Sequence, residues 1–479
     1  MAAADVAPGL VWFRDDLRVS DHPALHAAAT SGAPLVLLYV LDDSGIAARR
    51  LGAASRWWLH LSLQALGASL EKRGARLVLR TGRAEEVVPA VLRETGARHL
   101  YLNRRYAVGE RRQDEEVGAA AEGARVAVHL FTGSLLHEPG EVHTGEGEPF
   151  AVFTPFFRAL TRQGEPRSPY PAPSQLHGAD MPVRSERLDD LGLLPVSPDW
   201  AGGLRETWTA GEKGAHRRLE EFVHDRLPRY AEERDLPAAE ASSRLSPHLK
   251  FGELSPYQVW HRVRRSEASG AVKEKFLTEL GWREFDYDLL ATHAHLDTEN
   301  VHRGFDRFPW ADPADARIRA WQRGRTGIPL VDAGMRQLWH TGWMHNRVRM
   351  VTASFLIKNL RLDWRIGEQW FWDTLVDADP ANNAAQWQWV AGSGADAAPF
   401  FRIVNPVTQA TKFDPTGEYI RRWVPELRGR SGKALHEPWT SGEDLLGQAD
   451  GGGKPYPPPI VDLKHSRAEA LEAFERMRR

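Results

Sequence analysis

Residues 343–389 combine side chain types that suit the holding of something planar and polar. The run W-M-H-N-R-V-R-M (343–350) continues without Gly or Pro to Ile366. Gly342 precedes this run and Gly367 follows it, so the spacing predicts one long helix. Met344, Val348, Val351 and Phe355 recur at helical intervals and make an apolar face. Asn346, Arg349 and Met350 stand at i, i+3 and i+4 on roughly the other face, which is expected to look into a cavity. An ordinary buried helix with one satisfied Arg would give the same pattern. Downstream come Trp364, Trp370 and Trp372, then L-V-D-A-D-P-A-N-N (375–383) and Q-W-Q-W (386–389). Carboxylates at Asp377 and Asp379, amides at Asn382 and Asn383, and indoles at Trp387 and Trp389 suit a planar heteroaromatic ligand. Polar groups bond its ring edge and indoles pack nearby. A metal is the other use for two aspartates. Asp373 is the one further carboxylate close by and no His joins them, so no metal site is expected.

Two further stretches carry chemistry. S-S-R-L-S-P-H-L (242–249) sets Ser242, Ser243, Arg244, Leu245 and Ser246 just before a predicted helix, where backbone N–H groups and the helix dipole favour an anion. A plain capping role for Ser246 is the alternative. F-L-T-E-L-G-W-R-E-F (276–285) reads as helical despite Gly281, with Glu279, Trp282 and Arg283 on one face. By itself that pattern is a Glu–Arg surface pair worth a few tenths of a kcal/mol.

The elements that must position these groups change along the chain. Apolar runs at 10–13, 35–41, 77–79, 100–102 and 126–131 alternate with helix-like segments near 22–30, 54–72, 84–94 and 110–121. That alternation predicts a parallel, doubly wound α/β sheet covered on both faces. R-D-D-L-R follows the first strand in place of G-x-G-x-x-G, which argues against a nicotinamide dehydrogenase. Between 133 and 202 Pro, Gly, Ser and His are frequent; a wrapping linker is expected, with a short helix near 153–160. From 203 to 479 N-cap signals such as Ser246-Pro247 and Ser255-Pro256 predict a large all-α domain, with a loop at 447–455 and a charged final helix. The expected division is 1–132, 133–202 and 203–479.

Composition sets outer limits. The chain has 479 residues, 42% hydrophobic and 26% charged, which is globular. No apolar run reaches about 18 residues and the N-terminal stretch lacks a basic and an apolar region, so neither a membrane span nor a secretory signal is expected. No Cys is present, which fits the cytoplasm. A net charge of −2 means that any nucleic acid must meet a local basic patch. Trp, at 18, is twice as frequent as Tyr, at 9.

Taken together, the motifs from V-W-F-R-D-D-L-R (11–18) to Y-P-P-P-I-V-D (456–462) resemble the DNA photolyase and cryptochrome family, most nearly the microbial class I photolyases that repair cyclobutane pyrimidine dimers. The resemblance implies bound FAD, held by Tyr230, by the loop Ser242–Ser246, and by Arg283, Arg349, Asp377, Asp379 and Asn383. Arg349 would pair Asp377. Asn383 would face the flavin N5, where a neutral amide favours the anionic, fully reduced cofactor. It further implies that Glu279, Asn346 and Met350 meet the damaged bases, and that Trp282 and Trp389 wall them in. Arg234 and Gln409 match DNA contacts, and Trp387, Trp364 and Trp310 match an electron-carrying chain. A second, antenna chromophore would sit on the α/β domain. Gly109 stands where folate-binding relatives carry an Asn, and the loop 294–305 has no secure counterpart of their chromophore-contacting Lys, so a deazaflavin is preferred over folate, with a second flavin or an empty site as alternatives. The implied partner is damaged DNA, with no membrane and no obligate protein partner, and a monomer is expected. The rivals are a signalling cryptochrome, against which Asn383 and the lack of a signalling tail speak, and a (6-4) photoproduct enzyme, in which a His pair would replace Met344-His345-Asn346.

Overall fold

Short aliphatic runs leave the backbone one way to pair all its N–H and C=O groups once both faces are covered: a parallel sheet. The computed structural model describes residues 7–46, 49–440 and 455–479. The runs form β1 (Gly9–Phe13), β2 (Leu35–Leu41), β3 (Leu77–Thr81), β4 (His99–Asn103) and β5 (Ala127–Phe131). Neighbours pair in parallel in the order β3-β2-β1-β4-β5. Leu10 stands opposite Val36 on one side and Leu100 on the other. Parallel neighbours need crossovers, supplied by α1 (Pro23–Thr30), α2 (Ala53–Glu71), α3 (Ala84–Thr95) and α4 (Val108–Gly123). Trp12, Leu38, Val88, Leu100 and Val117 meet in this core. Every residue of β1 and β2 is buried, whereas the edge strand β5 is largely open. The doubly wound α/β sheet expected from the alternation is present, as is the helix in the connecting segment, α5 (Phe153–Arg162).

Beyond β5 the described elements are helical: α6 (Gly202–Thr207), α7 (Glu212–Glu221), α8 (Tyr230–Glu233), α9 (Ser246–Lys250), α10 (Pro256–Arg264), α11 (Gly270–Thr292), α12 (Asp315–Gln322), α13 (Pro329–Thr341), α14 (Asn346–Ser354), α15 (Trp364–Thr374), α16 (Asn382–Ala391), α17 (Pro406–Phe413), α18 (Glu418–Trp423), α19 (Gly432–His436) and α20 (Leu463–Arg478). The molecule forms two compact units. One holds the residues through Ala201 with Trp208–Pro228 and Ser243–Ala294; the other holds Gly202–Thr207, Arg229–Ser242 and the chain from His295. Helices α9, α10 and α11 therefore belong with the sheet, and α12 to α20 form the second unit with α6 and α8. The expected loop at 447–455 lies outside the described residues apart from Pro455.

The single helix expected over 343–366 is not formed. Gly342 ends α13 in the left-handed conformation, and α14 begins only at Asn346, where the His345 side chain accepts from the Arg347 N–H. At Phe355 the helix widens into a π turn through Asn359, and Arg361 reverses with φ +53. Asp363 then caps a new helix, accepting from Arg365 N–H. Gly367 lies inside that helix and terminates nothing. A Cβ there would stand 2.1 Å from Cη2 of Trp387, so this glycine is the bare backbone on which an indole rests. The predicted apolar face stands: Met344, Val348, Val351 and Phe355 are buried in the core with Trp364, Phe371 and Trp387.

Gly281 has the same explanation in the other unit. A Cβ on it would meet the Phe157 ring at 2.3 Å, so the gap in α11 is filled by an aromatic of α5.

Candidate active site

Residues with local jobs can be separated from residues held ready for a ligand. The helix near Ser246 is short, α9, and its cap is Leu245; Ser246 is its first residue rather than its cap. Ser246 is exposed and Ser242, Ser243 and Arg244 are half-buried. Arg244 is held at φ +54, a conformation that costs a non-glycine residue energy and tends to be kept where function needs it. Ser243 Oγ accepts from Leu245 N–H at 3.4 Å. Below the loop, Glu253 is fully buried and accepts from the Trp58 indole (3.0 Å) and the Gly211 N–H (2.6 Å), while pairing His248 of α9. That cluster fixes the position of α9.

Helix α11 carries Glu279 and Trp282, both half-buried. The Trp282 indole lies flat on Phe153, with centroids 3.7 Å apart and planes 9° apart, and meets Phe285 edge-on. Arg283 departs from the surface-pair reading. It is buried, donates to the Ser134 carbonyl at 2.8 Å and lies over Tyr287. Farther along the helix, Glu284 and Asp288 flank the buried His137. Glu284 Oε2 lies 2.8 Å from His137 Nδ1, and Asp288 Oδ1 lies 3.6 Å from Nε2. Burial pulls the imidazole down, but Asp288 and Glu284 together outweigh it and hold His137 up to about 10.

In the second unit the face expected on α14 is open: Asn346 is exposed and Arg349 and Met350 are half-buried. Arg349 donates to both oxygens of Asp377, at 3.1 and 2.8 Å, and to the Met344 carbonyl, so the expected pair is formed. Asp379 has a local task. Its Oδ1 accepts from the N–H groups of Ala381 and Asn382 and from the Asn382 amide, and so caps the approach to α16. Asn383 is buried, and its amide nitrogen donates to the Glu368 carbonyl (3.1 Å) and to Glu368 Oε1 (2.7 Å). With the nitrogen committed, the Oδ1 of Asn383 is the atom left to accept. Glu368 was not picked out from sequence; a carboxylate fifteen residues upstream on another helix gives no local signal.

Tyr230 is buried, with the half-buried Arg234 guanidinium 5.2 Å from its ring. The neighbouring Asp235 pairs Arg347 at 2.8 Å. Trp389 and Gln409 are half-buried, the latter on α17. Trp387 and Trp364 are buried. The ring contacts of Trp387 are with Phe371 and Trp321, and Trp364 donates to Asn300 at 3.0 Å beneath the Arg365 guanidinium. Trp310 is half-buried against Phe308 at 4.4 Å. Trp387 rests on Gly367, one turn along the helix that Trp364 begins, so these two indoles belong to one packing assembly.

On the sheet, strand order reverses between β1 and β4, where α/β folds leave a crevice at the carboxyl ends. Here Arg14 donates to the Asn103 carbonyl and approaches Asp114, Arg105 pairs Asp114, and both guanidinium groups lie over the Trp12 ring. The crevice is lined by matched charges rather than by apolar walls. Gly109 lies in the first turn of α4 and presents no side chain.

These donor sets suit FAD on their own chemistry. A paired buried carboxylate and an outward amide oxygen offer acceptors to a ring edge, and a serine-rich loop with an Arg offers donors to phosphates. Comparison with known proteins agrees. Residues 9–174 match the family model described as DNA photolyase, and residues 276–476 match the one described as the FAD binding domain of DNA photolyase. A deoxyribodipyrimidine photo-lyase of Agrobacterium fabrum is 49% identical, over 98% of both chains. Cryptochrome-1 of Arabidopsis thaliana is 38% identical, over 98% of this chain and 70% of its own length. A crystal structure of a bacterial class III photolyase from Agrobacterium tumefaciens superimposes with a TM-score of 0.95 at 47% identity, covering 100% of this chain and 99% of that one. With two family models matched in order along a sheet unit and a helical region, and whole-length identity near one half, the chain belongs to the DNA photolyase family.

Proposed function

We propose that this protein is a light-driven lyase that splits cyclobutane pyrimidine dimers in DNA. The observation that carries the reading is the pairing of an Asn383 oriented by Glu368 with an Asp377 clamped by Arg349. Bound FAD, reduced and photoexcited, supplies an electron that opens the cyclobutane ring and recovers it afterwards, so no net oxidation results. The residues do the rest. Tyr230, Ser242, Ser243, Arg244, Leu245, Ser246, Arg283, Arg349, Asp377, Asp379 and Asn383 hold and orient the cofactor. Trp282 and Trp389 wall the flipped bases, while Glu279, Asn346 and Met350 contact them. Arg234 and Gln409 touch the DNA strand, and Trp387, Trp364 and Trp310 conduct electrons towards the interior.

The class is drawn more narrowly than the motifs alone suggested. The 47% identity to a class III structure across the whole chain favours that class over class I. A functional division at 132 and 202 remains the proposal, with the enzyme acting as a cytoplasmic monomer. For the second chromophore a deazaflavin is preferred over folate, because Gly109 offers a pterin no amide; the absorption spectrum of the supernatant after denaturation decides it.

The test uses damaged and undamaged duplexes. Stacking a base on an aromatic is worth about 1–3 kcal/mol, so Trp282→Ala weakens binding of dimer-containing DNA roughly ten- to a hundred-fold. Flavin content and undamaged DNA binding hold. If the wild type neither prefers damaged DNA nor restores dimers in light, the repair reading gives way to a cryptochrome-type photoreceptor. Restoration of (6-4) lesions alone would move the protein to that branch.

A further inference from the structure

Trp282 presents two faces, and the structure closes one of them. Phe153 lies against that face in near-parallel contact, at 3.7 Å and 9°. Phe153 is itself immobilised: it is buried, it stacks on Phe157 at 5.6 Å, and it meets Phe285 edge-on. Phe157 is seated in the gap left by Gly281, the residue next to Trp282, where a Cβ would come within 2.3 Å of its ring. So α5, in the connecting segment between the sheet and the later helices, grips one turn of α11 with two aromatic rings. Two consequences follow from the geometry. No base can stack on the covered face, so a ligand base must use the opposite one. The indole plane is also set by the connecting segment, because a half-buried Trp without a flat support would have several side chain conformations open to it.

We propose that Phe153 is a positioning residue for lesion recognition. It acts through Trp282, by holding the indole plane ready for a base on its free face. The connecting segment is then part of the substrate-recognition machinery and not only a tether. A preset plane means that ordering the indole costs nothing at the moment of binding, so affinity for the flipped dimer depends on the ring beneath it. This inference rests on the reading of Trp282 as a wall of the dimer site.

The experiment compares Phe153→Leu, Phe153→Tyr and Trp282→Ala in the flavin-loaded protein, measuring affinity for dimer-containing and undamaged duplexes. Leu fills much of the volume without a flat face. Phe153→Leu is expected to weaken damaged-DNA binding by roughly three- to tenfold while undamaged binding and flavin content hold. Phe153→Tyr, which keeps the ring, restores it. The inference alone is overturned if Trp282→Ala loses discrimination but Phe153→Leu keeps it. It is equally overturned if Phe153→Leu weakens both DNAs alike, or if Tyr fails to rescue, because a general packing role then suffices. If Trp282→Ala itself keeps full discrimination, the reading of Trp282 and this inference fall together.

Discussion

Two buried bases, one in each unit, are treated in opposite ways. His137 lies between Glu284 and Asp288 of α11 and is held charged, up to about 10. Lys358, on the π turn that ends α14, meets no carboxylate. Its Nζ donates to the Phe400 carbonyl at 3.1 Å, lies 4.8 Å from the Phe400 ring, and burial pushes it down to about 7. The difference teaches how each helix is secured. Helix α11 is tied by a compensated charge, so its grip is strongest while that charge persists. The end of α14 is tied by packing around a cation that the interior would rather see neutral.

The largest effect is expected from breaking the compensated case. His137→Leu leaves two carboxylates buried without their cation and should cost about 3–5 kcal/mol. A thermal unfolding scan of the flavin-loaded protein checks it; a Tm within a degree or two of wild type would mean that the triad is not what holds α11. Next comes the half-buried pair in the second unit. Asp377→Asn removes a charge-assisted partner worth roughly 1.5–3 kcal/mol, both to Arg349 and to the cofactor edge. Combined with Asp379→Ala it should yield protein that purifies without flavin, read from the visible spectrum; full flavin content in the double variant removes both residues from the site.

Lys358→Met sharpens the contrast, because removing an uncompensated cation should raise stability by roughly 1 kcal/mol at pH 7. The signs with pH oppose each other. The folded pKa of His137 is raised above its ordinary 6.5, so its contribution is complete below that value and is lost as pH rises towards about 10. The folded pKa of Lys358 is lowered from 10.5 to about 7, so its penalty is complete below about 7 and fades as pH rises. Lys358→Met should therefore lose Tm more steeply than wild type between pH 7 and 10, while His137→Leu should lose it less steeply. The smallest effect belongs to a cation near the surface. Arg234→Ala should weaken damaged and undamaged DNA alike, a few-fold, and reduce the salt dependence of binding by about one phosphate contact. Loss confined to damaged DNA would contradict that role.

Local signals were readable wherever the chemistry is local. Strands buried on both faces are continuous aliphatic runs, so β1 to β5 appear in the sequence nearly to the residue. The Arg349–Asp377 pair was anticipated because both partners belong to one polar, aromatic stretch. What escaped depends on contacts between distant segments. Gly367 looks like a helix stop and proves to be the seat of Trp387. Arg283 looks like a surface partner of Glu279 but reaches the Ser134 carbonyl across 149 positions. Glu368, His137 and Phe153 carry no motif at all; each gains its meaning from a helix far along the chain. Asp379 was read as a ligand contact, and part of its bonding capacity is spent on capping.

The π turn at Phe355–Asn359 has a consequence for how this chain tolerates changes of length. Such a turn is an α-helix carrying one residue more than its geometry calls for. Deleting a single residue there would let an ordinary helix run on without a gap. Everything beyond it would then arrive rotated by about 100° relative to α14, since each residue turns the helix by that amount. Trp364 and the bare ledge at Gly367 would swing away from Trp387, although no aromatic residue had been altered. The segment between the cofactor-facing arginine and the indoles thus acts as a phase-setting spacer: its amino acids can vary more freely than their number.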